Sequence, residues 1–333
     1  MTFQRKTRNL TDLAQKAGVT AATASMALRN SPRLSDEVKD RIRQIAEEDG
    51  FTPRSYTRKI AAAPGKRFSH LKPVLFLDNS VDEQDPVGAA LLTILGPMMN
   101  RYGVELQMLN QRELAENPDV LDEIGAVFVY NDPAVLSRIP VEIPAVQVFG
   151  WEPLRKNTDR ITANDEEIVS LAVEHLRRAE VERSAIFWRS DMIKTGPHPR
   201  IVRFVERMNA LGIDTVEFQF GKFDTDFTER LRAYVAAGSD RVGFFGFNAR
   251  CGVKLCCGLD SLGLLQKYSP NSLIVCDNSI MLKDFWPNPA MIDLDLPLMT
   301  RRALEMLFLR MENPGIPEAL VLQSPRPLNT TTH

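Results

Sequence analysis

From residue 72 onward the sequence alternates short apolar runs with amphipathic stretches of helical period, and this alternation leaves little choice of fold. The runs are PVLFLD, VELQML, GAVFVY and AVQVFG, then SAIFW, TVEFQF, RVGFFGF and SLIVCD. Between them lie stretches whose apolar residues recur every three or four positions, near 86–102, 112–123, 166–179, 199–211, 227–237 and 249–262. Strand, helix, strand in that order builds parallel sheets covered by helices. The connection DRITAND separates the two series, so two α/β lobes are expected, with a last helix over 297–311 and an extended segment over 319–324.

The first seventy residues obey a different rule. Residues 1–67 carry fourteen Lys and Arg against seven Asp and Glu, so with a net charge of −2 for the chain the remainder carries −9. A basic arm on an acidic body suits a polyanionic partner confined to one end. Leu10, Leu13, Ala14 and Ala17 share one helix face, with Asn9 as cap and Gly18 as stop. Only Gly18 and Val19 intervene before Thr20, a second cap, opens a helix over 21–28 with Ala24, Ala27 and Leu28 inward. A third helix starts at Ser35, carries Val38, Ile42, Ile45 and Ala46 on one face, and stops at Gly50. Two short helices joined by so tight a turn form a helix-turn-helix, and the small alanines allow the second helix to protrude. Short three-helix units also serve as protein-docking modules, which is the alternative.

At 333 residues the chain exceeds one ordinary core, and two or three folding units are expected. No apolar run of eighteen residues occurs and the start, 1–6, is polar and basic; neither a membrane span nor a signal peptide is expected, and the protein is expected in the cytoplasm. Cys251, Cys256, Cys257 and Cys276 crowd one region with spacing that suits neither a disulfide framework nor zinc, and read as small buried side chains. His70, His175, His198 and His333 are scattered; His175 and His333 read as solvated surface. No cofactor or metal is expected.

The order of helix-turn-helix, third helix, Gly50-Phe51-x-Pro53 and a basic stretch, RSYTRKIAAAPGKR, resembles the lactose-repressor (LacI/GalR) family of transcriptional regulators. The resemblance implies a helix-turn-helix headpiece over 1–52, a hinge helix and linker over 53–71, and over 72–333 an effector-binding and dimerisation body of two Rossmann-like lobes, periplasmic-binding-protein-like. It implies a homodimer on a pseudo-palindromic double-stranded DNA operator, without a membrane. The family's recognition helix falls on 20–29, naming Thr20, Ala21, Ala22, Thr23, Ser25, Met26 and Arg29 as DNA-binding. Its hinge helix falls on 54–61, adding Arg54, Tyr56, Arg58 and Lys59 as DNA-binding residues and Ile60 as the apolar wedge that kinks a base step. Met26 stands where the family commonly has Arg, and neither Ala21 nor Ala22 can hydrogen-bond a base edge. Readout therefore leans on Thr20, Ser25 and Arg29, on apolar contact with thymine methyls, and on the bend.

The same resemblance implies that MIDLDL crosses back to the first lobe, so that strand ends of both lobes face one cleft. The effector candidates at those ends are Asp78, Asn131, Trp151, Asn164, Arg189, Arg200, Asn248 and Asp277. Arg200, Asn248 and Asp277 match family effector positions best, and Trp151 could stack on a ring. Arg203 replaces the glycine of the family's Arg-x-x-Gly-Phe run, and Asn248-Ala249 replaces its Asn-Asp pair. Hydrogen-bonding groups of this kind suit a small, sugar-like effector, although each is also a plausible turn or cap former. No GxGxxG follows the first strand, and neither a phosphate loop nor a GxSxG elbow occurs, so an enzyme is not expected. The expectation is a repressor controlled by a small molecule. The alternatives are a cytoplasmic ligand sensor whose headpiece docks a protein, or an enzyme on the same α/β body.

Overall fold

The computed structural model describes residues 10–28, 34–48, 72, 74–78, 86–130, 133–150, 155–190, 198–221 and 223–328. Two compact units divide the chain, a first that holds the three helices before residue 72 and a second that holds both sheets.

In the first unit, α1 (Leu10–Lys16), α2 (Ala21–Leu28) and α3 (Asp36–Glu48) enclose a core of Leu13, Ala14, Ala17, Ala24, Ala27, Ile42 and Ala46. Gly18, at φ +66°, takes the left-handed turn after α1, and Val19 N–H donates to the Ala14 carbonyl at 2.9 Å. The chain thus reverses within four residues. Thr20 then caps α2, its Oγ1 accepting the Thr23 N–H at 3.1 Å. Asn9 and Gly50, the expected cap of α1 and stop of α3, lie outside the described residues.

In the second unit the first sheet is built of β1 (Val74–Asp78), β2 (Leu106–Asn110), β3 (Ala126–Tyr130), β4 (Ala145–Val148), β5 (Thr158–Ala163) and β11 (Leu320–Gln323). Its order is β11-β5-β4-β3-β1-β2 and every pair is parallel. Helices α4 (Pro86–Tyr102), α5 (Gln111–Glu116), α6 (Val120–Glu123) and α7 (Pro133–Leu136) connect its strands. The single helix expected near 112–123 is two, α5 and α6, since Pro118 between them cannot continue a helical ladder.

The second sheet is built of β6 (Arg183–Arg189), β7 (Asp214–Phe220), β8 (Val242–Gly246), β9 (Leu273–Cys276), β10 (Ala290–Asp293) and β12 (Arg326–Leu328). It repeats the winding, β12-β10-β9-β8-β6-β7, with β12 alone antiparallel. Helices α8 (Asp165–Arg178), α9 (Pro199–Ala210), α10 (Phe227–Ala236), α11 (Ala249–Ser261) and α12 (Leu265–Tyr268) accompany it. Central strands such as AVFVY and VGFFG are buried along their whole length, as parallel strands covered on both faces must be.

Expectations change at three places. DRITAND is not a bare connection: six of the residues around it form β5, buried between β4 and β11. MIDLDL makes the expected crossing: its first three residues belong to β10 in the second sheet, and Leu294 and Asp295 lead out of that sheet toward the first. Helix α13 (Leu296–Glu312) then packs on β4 and β5 and delivers β11. Three of the four cysteines are buried, Cys257 being exposed, and burial pushes the Cys251 and Cys256 thiols up to about 12. His175 is not solvated surface: it is half-buried with Nε2 3.0 Å from the Pro270 carbonyl, and burial holds its pKa below the usual value. Among the described residues no helix is long and apolar enough to cross a membrane.

Candidate functional site

A cavity of about 340 Å³ opens where the carboxyl ends of strands from both sheets meet, within the size range of small-molecule sites. The first sheet contributes Tyr130 from the end of β3, Phe149 just after β4, and Arg160 and Thr162 from β5. The Phe149 backbone sits at φ +66° and its ring meets Tyr130 edge-on, centroids 6.0 Å apart. Arg160 and Thr162 share a wall because side chains two apart on a strand point the same way. Asp159 and Ile161 occupy the opposite face, where Asp159 pairs with Arg310 of α13.

The second sheet contributes helix starts. Asn164 caps α8, its Oδ1 accepting from Glu166 and Glu167 N–H at 3.2 and 3.4 Å. His198 caps α9 through Nδ1, which accepts the Arg200 N–H at 3.2 Å, and Asn248 caps α11 through Oδ1, which accepts the Cys251 N–H at 3.0 Å. All three caps line the cavity. The choice between cap former and ligand contact is therefore not exclusive at Asn164 and Asn248.

At the centre lies Arg200, buried, donating through Nε to Asp165 Oδ1 at 2.9 Å and through Nη1 to the Phe247 carbonyl at 2.6 Å. Its guanidinium carbon stands 4.6 Å above the Phe247 ring. Burial opposes the Arg200 charge, but Cys276, Asp165 and Asp277 outweigh it and its pKa rises. Asp277, at φ +83°, accepts the Ala249 N–H on Oδ2 at 3.1 Å, while its own N–H donates to the Ile292 carbonyl at 3.0 Å. That left-handed backbone turns the carboxylate from β9 toward the start of α11.

Of the expected effector residues, Asn164, Arg200, Asn248 and Asp277 line this cavity. Arg189, buried at the end of β6, is not among its lining residues. It sits beside Cys251, on whose thiol it acts. Asp78 ends β1, while Asn131 and Trp151 lie outside the described residues. Arg160, His198, Arg203 and Arg250 line the cavity without having been expected there. Arg203, visible in sequence only as a departure from the family's glycine, reaches Glu166 at 3.1 Å.

On the headpiece, Thr20 and Ala21 are exposed, and Thr23 and Met26 are half-buried. The Thr20 and Thr23 hydroxyls lie 2.9 Å apart, so both are engaged locally at the start of α2. Ala22 and Ser25 are α2 positions. Arg29 and the hinge residues Arg54, Tyr56, Arg58, Lys59 and Ile60 lie outside the described residues.

Three short helices built on a tight turn, followed by two like-wound, mainly parallel sheets around a polar cavity, define a class of architecture: a helix-turn-helix unit joined to a two-lobed α/β body. The family model for bacterial regulatory proteins of the lacI family matches residues 9–54, the segment that holds the three short helices. An HTH-type transcriptional regulator of Lachnoclostridium phytofermentans is 36% identical over 52 residues, a stretch that spans 16% of this chain and 16% of that relative. Solved structures carry the fold through the remainder. The lac repressor dimer bound to operator and an anti-inducer aligns at TM-score 0.61 and 12% identity, covering 97% of this chain and 98% of that one. A LacI family regulator from Arthrobacter in complex with lactose aligns at TM-score 0.65 and 14% identity, covering 78% and 98%.

Proposed function

We propose that this protein is a sequence-specific DNA-binding transcriptional regulator, a repressor whose hold on its operator is set by a small, sugar-like effector in the cavity between the lobes. The observation that carries this reading is the union of a lacI-family headpiece at 9–54 with a polar cavity lined from both sheets. In this reading residues 1–52 are the headpiece, 53–71 the hinge and 72–333 the effector-binding and dimerisation body, and no catalytic step takes place in the cavity. Thr20, Ala21, Ala22, Thr23, Ser25, Met26 and Arg29 meet the major groove of each half-site, and two hinge segments, one per protomer, meet the minor groove. Effector binding changes the angle between lobes, hence the spacing of the hinges.

The test is equilibrium binding to duplexes selected from a random pool, repeated at rising salt. Each phosphate neutralised by Lys or Arg should contribute a slope of about −0.9 to log K against log salt. Affinity indifferent to salt, or no duplex binding, overturns the reading.

A further inference from the structure

We infer that the effector held in this cavity is amphipathic, a hydroxylated ring bearing an apolar substituent of aryl size that lies on Leu320 and Leu322 of β11; the inference rests on reading the cavity as the effector site. β11 ends the first sheet, paired with β5, and its register sets Leu320 beside Arg160 and Leu322 beside Thr162. Residues paired across a sheet share a face, and all four side chains line the cavity. The opposite face of β5 is the one on which Asp159 meets Arg310 of α13. Strands of a parallel sheet are ordinarily covered on both faces, yet Leu320 and Leu322 stand 52% and 53% exposed. Two apolar side chains left in water at the wall of a small-molecule cavity are what a hydrocarbon group of the ligand would cover.

Strand spacing sets the size of that group. Residues two apart on a strand lie about 7 Å from each other and neighbouring strands about 5 Å, so the two leucines form a strip one ring long beside the more polar column of Arg160 and Thr162. Lobe closure by itself would not shelter the strip. Among the described residues the second lobe meets the cavity with Arg200, Arg203, Asn248 and Asp277, charged and amide groups that gain nothing against leucine. Phe247 also lines it, but its ring already carries the Arg200 guanidinium at 4.6 Å and His198 at 4.9 Å. The hydroxylated end of the ligand therefore belongs with the second lobe and the apolar end with β11. Leu294, on the crossing between the sheets, lines the same cavity, so the apolar group sits beside a segment about which the lobes would turn. Such a molecule touches both lobes at once, which is what a ligand must do to move one against the other.

The experiment is calorimetric titration and thermal denaturation of the full chain with matched probes, the methyl and phenyl glycosides of glucose, galactose, xylose and ribose in both anomers. At least one phenyl glycoside should bind about tenfold or more tighter than its methyl counterpart, since each buried methylene carries roughly fourfold in affinity. Leu320→Thr and Leu322→Thr, at half-exposed positions of an edge strand, keep a β-branched residue there and should each weaken the phenyl glycoside about 5- to 10-fold while leaving the methyl glycoside within about twofold. The double variant should lose the preference, and Leu322→Met should retain it. Methyl and phenyl glycosides bound alike, equal losses of both in the threonine variants, a preference that survives the double variant, or no probe bound at millimolar concentration would each overturn the inference. So would dissociation of the double variant into smaller species in sedimentation velocity, which would assign the leucines to a contact between copies of the chain. Duplex binding measured on the same preparation separates these failures from failure of the regulator reading, which would show as absence of salt-dependent DNA affinity in the parent protein.

Discussion

His198 shows how much a single cap constrains the site around it. Its Nδ1 must stay unprotonated to accept the Arg200 N–H, and its ring packs edge-on against Phe247 with centroids 4.9 Å apart. Burial first, and the Arg200 charge second, lower its pKa from 6.5 to about 4, against the opposing pull of Asp165 at 4.0 Å. The folded state thus binds this proton less readily than the unfolded chain. The stability involved is fully present above pH 6.5 and is lost as pH falls toward 4, roughly 3 kcal/mol in all at one pKa unit per ~1.4 kcal/mol. In His198→Asn, which keeps a capping oxygen, the melting temperature should fall less steeply over that window; parallel curves for both proteins would exclude His198 as the group responsible. Arg310 and Asp159 make a second residue-scale case. They are 1% and 2% exposed, joined by two hydrogen bonds of 2.8 and 2.6 Å, and Asp159 also accepts the Ala319 N–H at 2.8 Å. Arg310→Met strands a buried carboxylate and should cost about 3–5 kcal/mol, whereas Arg310→Met with Asp159→Asn should cost clearly less. Thermal melts of the three proteins decide it, and equal losses in the single and double variants would count against the pair.

Among the elements, α11 lies tight against the sheet it covers, and glycine is the reason. A Cβ on Gly252 would stand 2.4 Å from Val275 Cγ1 and 2.7 Å from Cγ2, while Gly246 on β8 faces Gly252 itself. Helix propensity alone favours Gly252→Ala by up to about 1 kcal/mol, but the overlap with β9 outweighs it, and a net loss of about 1–3 kcal/mol is expected. A melting temperature at or above the parent's would mean that α11 can lift off β9 at little cost. Such close approaches are not written in local pattern, and the same holds for β5. In the same sheet, β3 was legible as a continuous apolar run and β4 as one broken only by Gln147. TDRITA reads as polar, and its polar residues are buried through partners that lie elsewhere: Asp159 with Arg310, 151 positions away, and Arg160 with Gln147 on β4. Arg160 was missed as a cavity residue for the same reason. β12 was missed because three residues containing Pro327 carry no strand signal, a proline being tolerated on an edge strand. Helices α8, α9 and α11, by contrast, were placed within a residue at either end, their caps and periodicity being local properties.

For the whole molecule, the chain passes between the two sheets three times: from β5 to β6, from β10 to β11, and from β11 to β12. Cavity residues are drawn from segments next to the first two passages, with Thr162, Asn164 and Asp165 beside the first and Leu294 and Leu320 beside the second. A ligand there therefore touches the strands about which the lobes would turn. In the proposed regulator, that turn reaches the DNA through residues 53–71, so effector and operator must alter each other's affinity by the same factor. Headpiece charge and hinge wedge then make separable contributions. The fourteen Lys and Arg of residues 1–67 would supply attraction to phosphate, which carries no sequence information. Ile60, set between base steps, would instead offset the unstacking cost of a bent operator, so its contribution appears only where the DNA bends. Ile60→Gly is accordingly expected to lower specific affinity and bending while leaving the salt slope on nonspecific duplex unchanged, and to shrink the effector's influence on operator binding. The measurement is a gel-shift bending assay alongside salt titrations on selected and random duplexes, with and without ligand. If specific affinity, bend and ligand response are all retained, the wedge is not the link between cavity and DNA.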